Sequence, residues 1–392
     1  MTEIKRFFHQ ITFSSTSIAP LVVFRILFGI MMFFSTLRFI NKGWVKDLYV
    51  LPKYHFTYYG FDWIKPFSEN GMMCLFIILL VTSILITIGF LYRFSIITFF
   101  LTFTYIELID KTNYLNHYYF ISIIAFILIF LPANKYLSID TFTGLVKSKE
   151  KIKSWNINII KFQIGIVYFF SGIAKLNYDW LVEAQPLSNW LKHQTDLPIF
   201  GGIMEFPETA FLFSWAGCLF DLFIVFILLN NRLRIYGYLL VIFFHGITSA
   251  MFPIGVFPFV MIISTLIFFS ESFHIKFIKI IQIIFNQKNF KLLNFLKKTH
   301  SNIKLKKQLV PIKIQATLLI IFVSFQLLLP LRHFLYDGNL FWTEQGFRFS
   351  WRVMLIEKVG YSQFYIHDQK GRRKLMNNKK FLTGQQEKMM AT

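Results

Sequence analysis

The chain alternates long apolar runs with short polar ones. The runs fall at about 20–40, 71–91, 94–109, 114–131, 157–176, 209–229, 235–250, 252–270 and 311–331. An apolar helix needs roughly 20 residues to cross the hydrocarbon core of a bilayer. Most runs approach that length, and the shorter ones fit tilted, broken or re-entrant helices. The pattern predicts an all-α polytopic membrane bundle of about nine transmembrane helices over residues 1–331.

Two stretches depart from it. In FHIKFIKIIQIIFNQKNFKLLNFLKK (273–298), bulky apolar residues and lysines recur at helical spacing. This predicts an amphipathic helix lying on the inner leaflet with its lysines among the headgroups. The second is the C-terminal segment 332–392, which reads as extramembrane. Within it MLIEKVGYSQFYIHDQKGRRKLM predicts a β-hairpin turning at Asp368-Gln369-Lys370-Gly371.

Composition supports the membrane reading: 55% of residues are hydrophobic, 51 are Phe, and the mean hydropathy is +0.53. The first twenty residues lack the apolar core of a cleavable signal, so the first run is expected to stay as a helix. The net charge of +21 falls mostly in loops and the C-terminal segment. Without a nucleic-acid motif beside it, this charge points to topology and anionic lipid rather than nucleic acid. With Lys5 and Arg6 inside, the inside loops hold Arg93, the group from Lys135 to Lys153, Arg232, Arg234 and the basic stretch Lys276 to Lys307. The outside loop 177–208 carries Asp179, Glu183, Asp196, Glu205 and Glu208 against Lys192. That asymmetry follows the positive-inside rule; loop 41–70, with Lys42, Lys46, Lys53 and Lys65, runs against it. Cys74 and Cys218 both lie in apolar runs and read as packed residues rather than a disulfide or a metal pair.

Ionisable residues inside spans are costly and mark function by default. Lys175 ends one span in FSGIAKLNYDW (170–180), and helical periodicity stacks Tyr168 and Ser171 beneath it. Spacing leaves two readings open: an interface anchor that snorkels to the headgroups, or a desolvated lysine acting as a neutral general base. His117 and His245 lie near the same membrane face, where two histidines and a lysine would form a proton-handling site. Their spacing gives no support to zinc, and no metal site is expected. Asp221 sits in mid-span and needs a partner that the sequence does not name.

Four segments taken together, IDKTNYLNHYYF (109–120), FQIGIVYFFSGIAKLNYDW (162–180), FFHGITSAMFPIGVFPFVM (243–261) and FLYDGNLFWTEQGFRFSW (334–351), resemble the vitamin K-dependent γ-carboxylase family. That family belongs to the bacterial-type horizontally transferred transmembrane domain (HTTM) proteins. FRILFGIMM (24–32) and LYRFS (91–95) fit the same pattern, in order along the chain. The resemblance implies an enzyme that oxygenates reduced vitamin K, an isoprenoid quinol, to its epoxide with O2. The reaction is coupled to addition of CO2 at the γ-carbon of a glutamate in a protein or peptide substrate. It implies Lys175 as the base and His117 as a second catalytic residue. His245, Tyr168, Asn116 and Asp110 are then expected around the quinol, and Arg332, His333, Tyr336, Trp342 and Arg348 around the glutamate. Tyr336 and Trp342 equally fit an interfacial aromatic belt.

The vertebrate enzymes continue into a β-rich outer domain, whereas this chain stops at Thr392. The expectation is a short-tailed relative in a bacterial cytoplasmic membrane, N-terminus inside, with the C-terminus and active site toward the outside. Two alternatives remain: a quinol epoxidase without carboxylation, and a non-enzymatic quinone or lipid carrier or transporter.

Overall fold

The computed structural model describes residues 12–198, 201–286 and 312–390. Lys5, Arg6 and positions 287–298 of the amphipathic stretch lie outside the described residues. The helices run α1 (Ala19–Asn41), α2 (Glu69–Ile88), α3 (Tyr92–Ile109), α4 (Asn116–Phe130), α5 (Trp155–Ala174), α6 (Pro207–Leu229), α7 (Arg234–Met251), α8 (Phe257–Thr265), α9 (Glu271–Asn286) and α10 (Ile312–Leu328). Among the described residues seven helices are long and apolar enough to cross a bilayer, with α10 counted together with its 3-10 extension. Two of the predicted spans are shorter. The fourth is the apolar 15-residue α4. The eighth is α8, which passes through a 3-10 turn and bends by 112° into α9. The bend falls where Phe269 leaves the helical region for extended backbone. Beyond it the predicted amphipathic helix begins: His274 and Ile278, four apart, are buried, while Lys276 and Lys279 are exposed.

Outward-facing apolar side chains cover the bundle. Phe34, Leu212, Phe243, Ile320 and Leu328 are each more than half exposed, as expected where lipid replaces water as solvent. Cys218 is buried, whereas Cys74 is exposed on α2, so only one of the two cysteines is the packed residue expected.

A short antiparallel ribbon closes one end of the bundle. Strand β1 (Ser15–Ser17) pairs with β2 (Lys151–Lys153) in the register Ser15↔Lys153, which brings the starts of α1 and α5 together. At this end Arg25, fully buried, donates to the carbonyls of Ala133 (2.8 Å), Leu137 (2.6 Å) and Thr87 (3.3 Å). Asp140 beside it accepts from the Leu91 and Tyr92 amides (2.7 and 3.1 Å) and the Asn134 side chain (2.7 Å). Gly89 ends α2 in the left-handed conformation (φ 67°), where a Cβ would meet Ser138 at 2.5 Å and the Arg25 guanidinium at 2.8 Å.

The other end holds Lys175 and the C-terminal segment. There β3 (Tyr365–His367) and β4 (Arg373–Leu375) form the predicted hairpin. Asp368 accepts from the amides of Lys370 and Arg372 (2.9 Å each) and from the Arg372 guanidinium (2.7 Å), which holds its carboxyl below the usual range. The segment is anchored to the bundle by Asn116 Nδ2 donating to Arg352 O (2.8 Å) and Gln386 Nε2 to Tyr54 O (2.8 Å).

Helices α5 and α6 approach closely because Gly172 has no side chain: a Cβ there would lie 2.8 Å from the Leu222 amide nitrogen. Gly172→Ala is therefore expected to push α6 outward and to cost about 1–3 kcal/mol, read as a lowered melting temperature in detergent. Gly165→Ala on the same helix meets only Val225 Cγ1 at 3.4 Å and is expected to melt like the wild type.

Candidate active site

The last turns of α5 project Tyr168, Ser171 and Lys175 along one face, as 3.6-residue periodicity dictates. Lys175 is the C-cap of that helix and is buried, 6% exposed. Its side chain turns inward rather than out to the headgroups. Lys175 Nζ donates to Asp221 Oδ2 at 2.6 Å and to Ser171 Oγ at 2.9 Å. Ser171 Oγ in turn donates to the same Asp221 oxygen at 2.8 Å. The partner of Asp221 is thus Lys175, and the two form one buried ion pair.

The NYDW segment explains the polar cluster that follows the lysine. Asn177 Oδ1 accepts from the Trp180 amide (2.9 Å) and starts a short helix, Tyr178–Leu181. Trp180 Nε1 donates to Ser214 O (2.9 Å), and Ser214 Oγ donates back to Trp180 O. The indole so fixed lies with its ring centroid 5.4 Å from Lys175 Nζ, within cation–π range.

Lys175, Ser171, Asp221 and Trp180 line a cavity of about 100 Å³. From α7, His245 enters it with Nε2 2.9 Å from the Tyr168 hydroxyl, while its buried Nδ1 has no hydrogen-bond partner among the described residues. The remaining wall is largely apolar, with Trp190, Phe213 and Phe244 from the bundle and Val353 and Met354 from the C-terminal segment. Met354, Trp351 and Phe349 all hold positive φ (54°, 59° and 60°), a conformation unusual for such side chains. Backbone strain of this kind persists where surrounding structure over-determines it.

Of the residues expected at the site, the structure brings Lys175, Tyr168 and His245 to one cavity. His117 is buried one ring away: Phe257 stands between the histidines, its centroid 5.9 Å from His117 and 5.7 Å from His245. Asn116 holds Arg352 O and accepts from Tyr114 OH (3.0 Å). Asp110 is buried and caps a 3-10 turn through the Thr112 amide (2.9 Å) and hydroxyl (2.7 Å), in a separate recess beside Gln386. Arg332 donates to Arg348 O and Ser350 Oγ, and His333 Nδ1 lies 3.0 Å from Pro330 O. Tyr336 and Trp342 are 46% and 78% exposed, and Arg348 is half-buried.

Arg352, which the sequence pattern did not single out, is more deeply enclosed than any of these cations. Its buried Nε has no partner among the described residues, its Nη2 lies 3.4 Å from both His333 ring nitrogens, and burial pulls its guanidinium down to about 10. The signal available was its place between an aromatic pair and the residues that close the cavity.

The family model of the HTTM domain matches residues 13–273, and that of the vitamin K-dependent gamma-carboxylase lumenal domain matches residues 312–392. No solved structure matches the chain. The first match covers every helix that carries the Lys175 cavity except the C-terminal cover, and the second supplies that cover. The chain belongs to the HTTM family, as a membrane protein related to the γ-carboxylases.

Proposed function

We propose that the chain is a vitamin K-dependent γ-glutamyl carboxylase-like enzyme with the Lys175–Asp221 pair as its base. The observation that carries this reading is a buried lysine–carboxylate pair opening onto an apolar, aromatic cavity beside Tyr168 and His245. An interface anchor would face water or headgroups, and Lys175 faces neither.

The donor set suits the head of a reduced quinol. His245 Nδ1 is an orphaned buried nitrogen, Thr248 lies one turn on, and aromatic rings form the walls. The cavity is smaller than the about 300–1,000 Å³ usual for ligand sites. Entry therefore requires the Val353–Met354 cover or a wall ring to move. When bound, the quinol would supply the reducing equivalents that convert O2 chemistry into a strong base. The chain's own residues handle the proton. Lys175 Nζ donates to Asp221 Oδ2 at 2.6 Å, and a proton drawn from a hydroxyl seated in the cavity would be taken up by this pair. The pair then carries one positive charge in a poorly solvated site, where it offsets the negative charge left on the donor. Trp180 stabilises that positive charge through its ring face. Arg332, Arg348 and Arg352 place cations on the C-terminal side, where an acidic peptide would approach.

The test is purified protein in nanodiscs with reduced vitamin K, O2, labelled CO2 and a Glu-containing peptide, following epoxide and fixed label together. Both products in the wild type and neither in Lys175→Ala support the proposal. Epoxide without label would leave a quinol epoxidase, and neither product with any quinol or peptide would overturn the enzyme reading. Tyr168→Phe keeps the ring but frees His245. Turnover is expected to fall roughly 10–100-fold, with only about 1 kcal/mol lost in stability, measured by initial rates and thermal melts on the same samples.

A further inference from the structure

A second polar cavity, about 240 Å³, lies at the ribbon end of the bundle. Lys161 in α5 faces it, 14 residues before Lys175 and so about 21 Å away along the helix axis. Arg234 at the start of α7 is the second cation, and Thr16, Ser270, Asn158 and Asn231 add hydroxyls and amides. Arg234 commits Nε to Leu228 O (2.9 Å) and Nη2 to Asn231 Oδ1 (2.6 Å); its Nη1 has no hydrogen bond among the described residues. Lys161 makes no ion pair among the described residues, and its Nζ rests 5.7 Å from the Phe268 ring centroid. The one acid on the wall among the described residues, Glu271, accepts from the Thr16 hydroxyl and the Ser17 amide (3.0 Å) and is turned to the ribbon. An ammonium within a spanning helix that finds no carboxylate among the described residues suits an anion from elsewhere.

We infer that this cavity holds the phosphate of an anionic membrane lipid. Three observations favour a lipid over a soluble phosphate. The cavity lies where α5 and α7 begin, at the boundary of the spanning region. Its floor is apolar, formed by Pro20, Ile157 and Phe268. It also opens beside the 112° bend into α9, whose exposed Lys276 and Lys279 face away from the bundle. Basic pockets between spanning helices are suited to such headgroups. The inference is independent of the chemistry proposed at Lys175.

The test is native mass spectrometry of the purified full-length protein with phosphatidylglycerol or phosphatidylcholine, and thermal shift with inorganic phosphate alone. The wild type is expected to retain phosphatidylglycerol in preference to phosphatidylcholine. Lys161→Met is expected to lose about fivefold of that preference, Lys161→Arg to keep it, and the exposed-lysine control Lys279→Met to keep it. Equal retention of the two lipids by the wild type would overturn the inference, and so would unchanged preference in Lys161→Met. Lys161-dependent stabilisation by inorganic phosphate equal to that by lipid would overturn the lipid assignment in favour of a soluble phosphate. If Lys161→Met does not accumulate, the wild-type lipid competition and Lys161→Arg decide the matter.

Discussion

Lys175→Met and Asp221→Leu, made singly, are expected to abolish turnover and destabilise the protein; made together, they are expected to restore most of the stability and none of the activity. Each single change leaves the other member of a buried pair, held at 2.6 Å in the wild type, with no counter-charge. Such an uncompensated buried charge costs about 3–5 kcal/mol. Replacing both members by apolar side chains of similar volume removes the charge altogether and is often neutral or stabilising. Activity follows different logic. Loss of a general base lowers the chemical step by about 10²–10⁴-fold, and the double variant has no group left to hold the transferred proton. Melting curves in one detergent and epoxide formation per folded protein separate the two effects. A double variant as unstable as either single would refute charge pairing as the source of stability. A double variant that still forms epoxide would remove the pair from the chemistry.

The second large effect is expected at the opposite end. Arg25→Met should lower stability by roughly 3–5 kcal/mol, because three buried carbonyl oxygens, Thr87 in the last turn of α2 and Ala133 and Leu137 in the loop after α4, lose a charged donor. Arg25→Lys should recover only part of this, since one ammonium cannot span the fork that reaches Thr87, Ala133 and Leu137 together. Thermal unfolding in detergent measures the loss. Protein that does fold should keep its specific activity, because Arg25 lies at the ribbon end and Lys175 at the other. A wild-type melting temperature for Arg25→Met would show that the loops are held by Asp140 and Asn134 alone.

Much of the architecture was legible in the runs of apolar residues, since a spanning helix must satisfy its own backbone and shows this as length and hydropathy. The hairpin at Asp368 and the start of the amphipathic α9 were legible for the same local reason. Lys175, Tyr168 and Ser171 could be placed on one face by counting turns. The Lys175–Asp221 pair could not, because 46 residues and a whole helix intervene and periodicity carries no information between helices. The same limit hid Phe257 between the two histidines, and it hid the Val353–Met354 cover, whose position depends on three left-handed residues that no pattern foretells. Arg25 lies within FRILFGIMM, and its role depends on the distant backbone carbonyls of Thr87, Ala133 and Leu137 that fold against it.

The ribbon of Ser15–Ser17 with Lys151–Lys153 also bears on biosynthesis. At about 5–20 residues per second, roughly 7–28 s of synthesis separate Ser15 from Lys153. During that interval β1 has no strand to pair with, although α2, α3 and α4 are made before it ends. The Arg25 and Asp140 contacts to residues 133–140 fall within the same interval. The residues that close this end of the bundle are therefore all made before α6, which carries Asp221, leaves the ribosome, and the Lys175–Asp221 pair forms on helices already laid down.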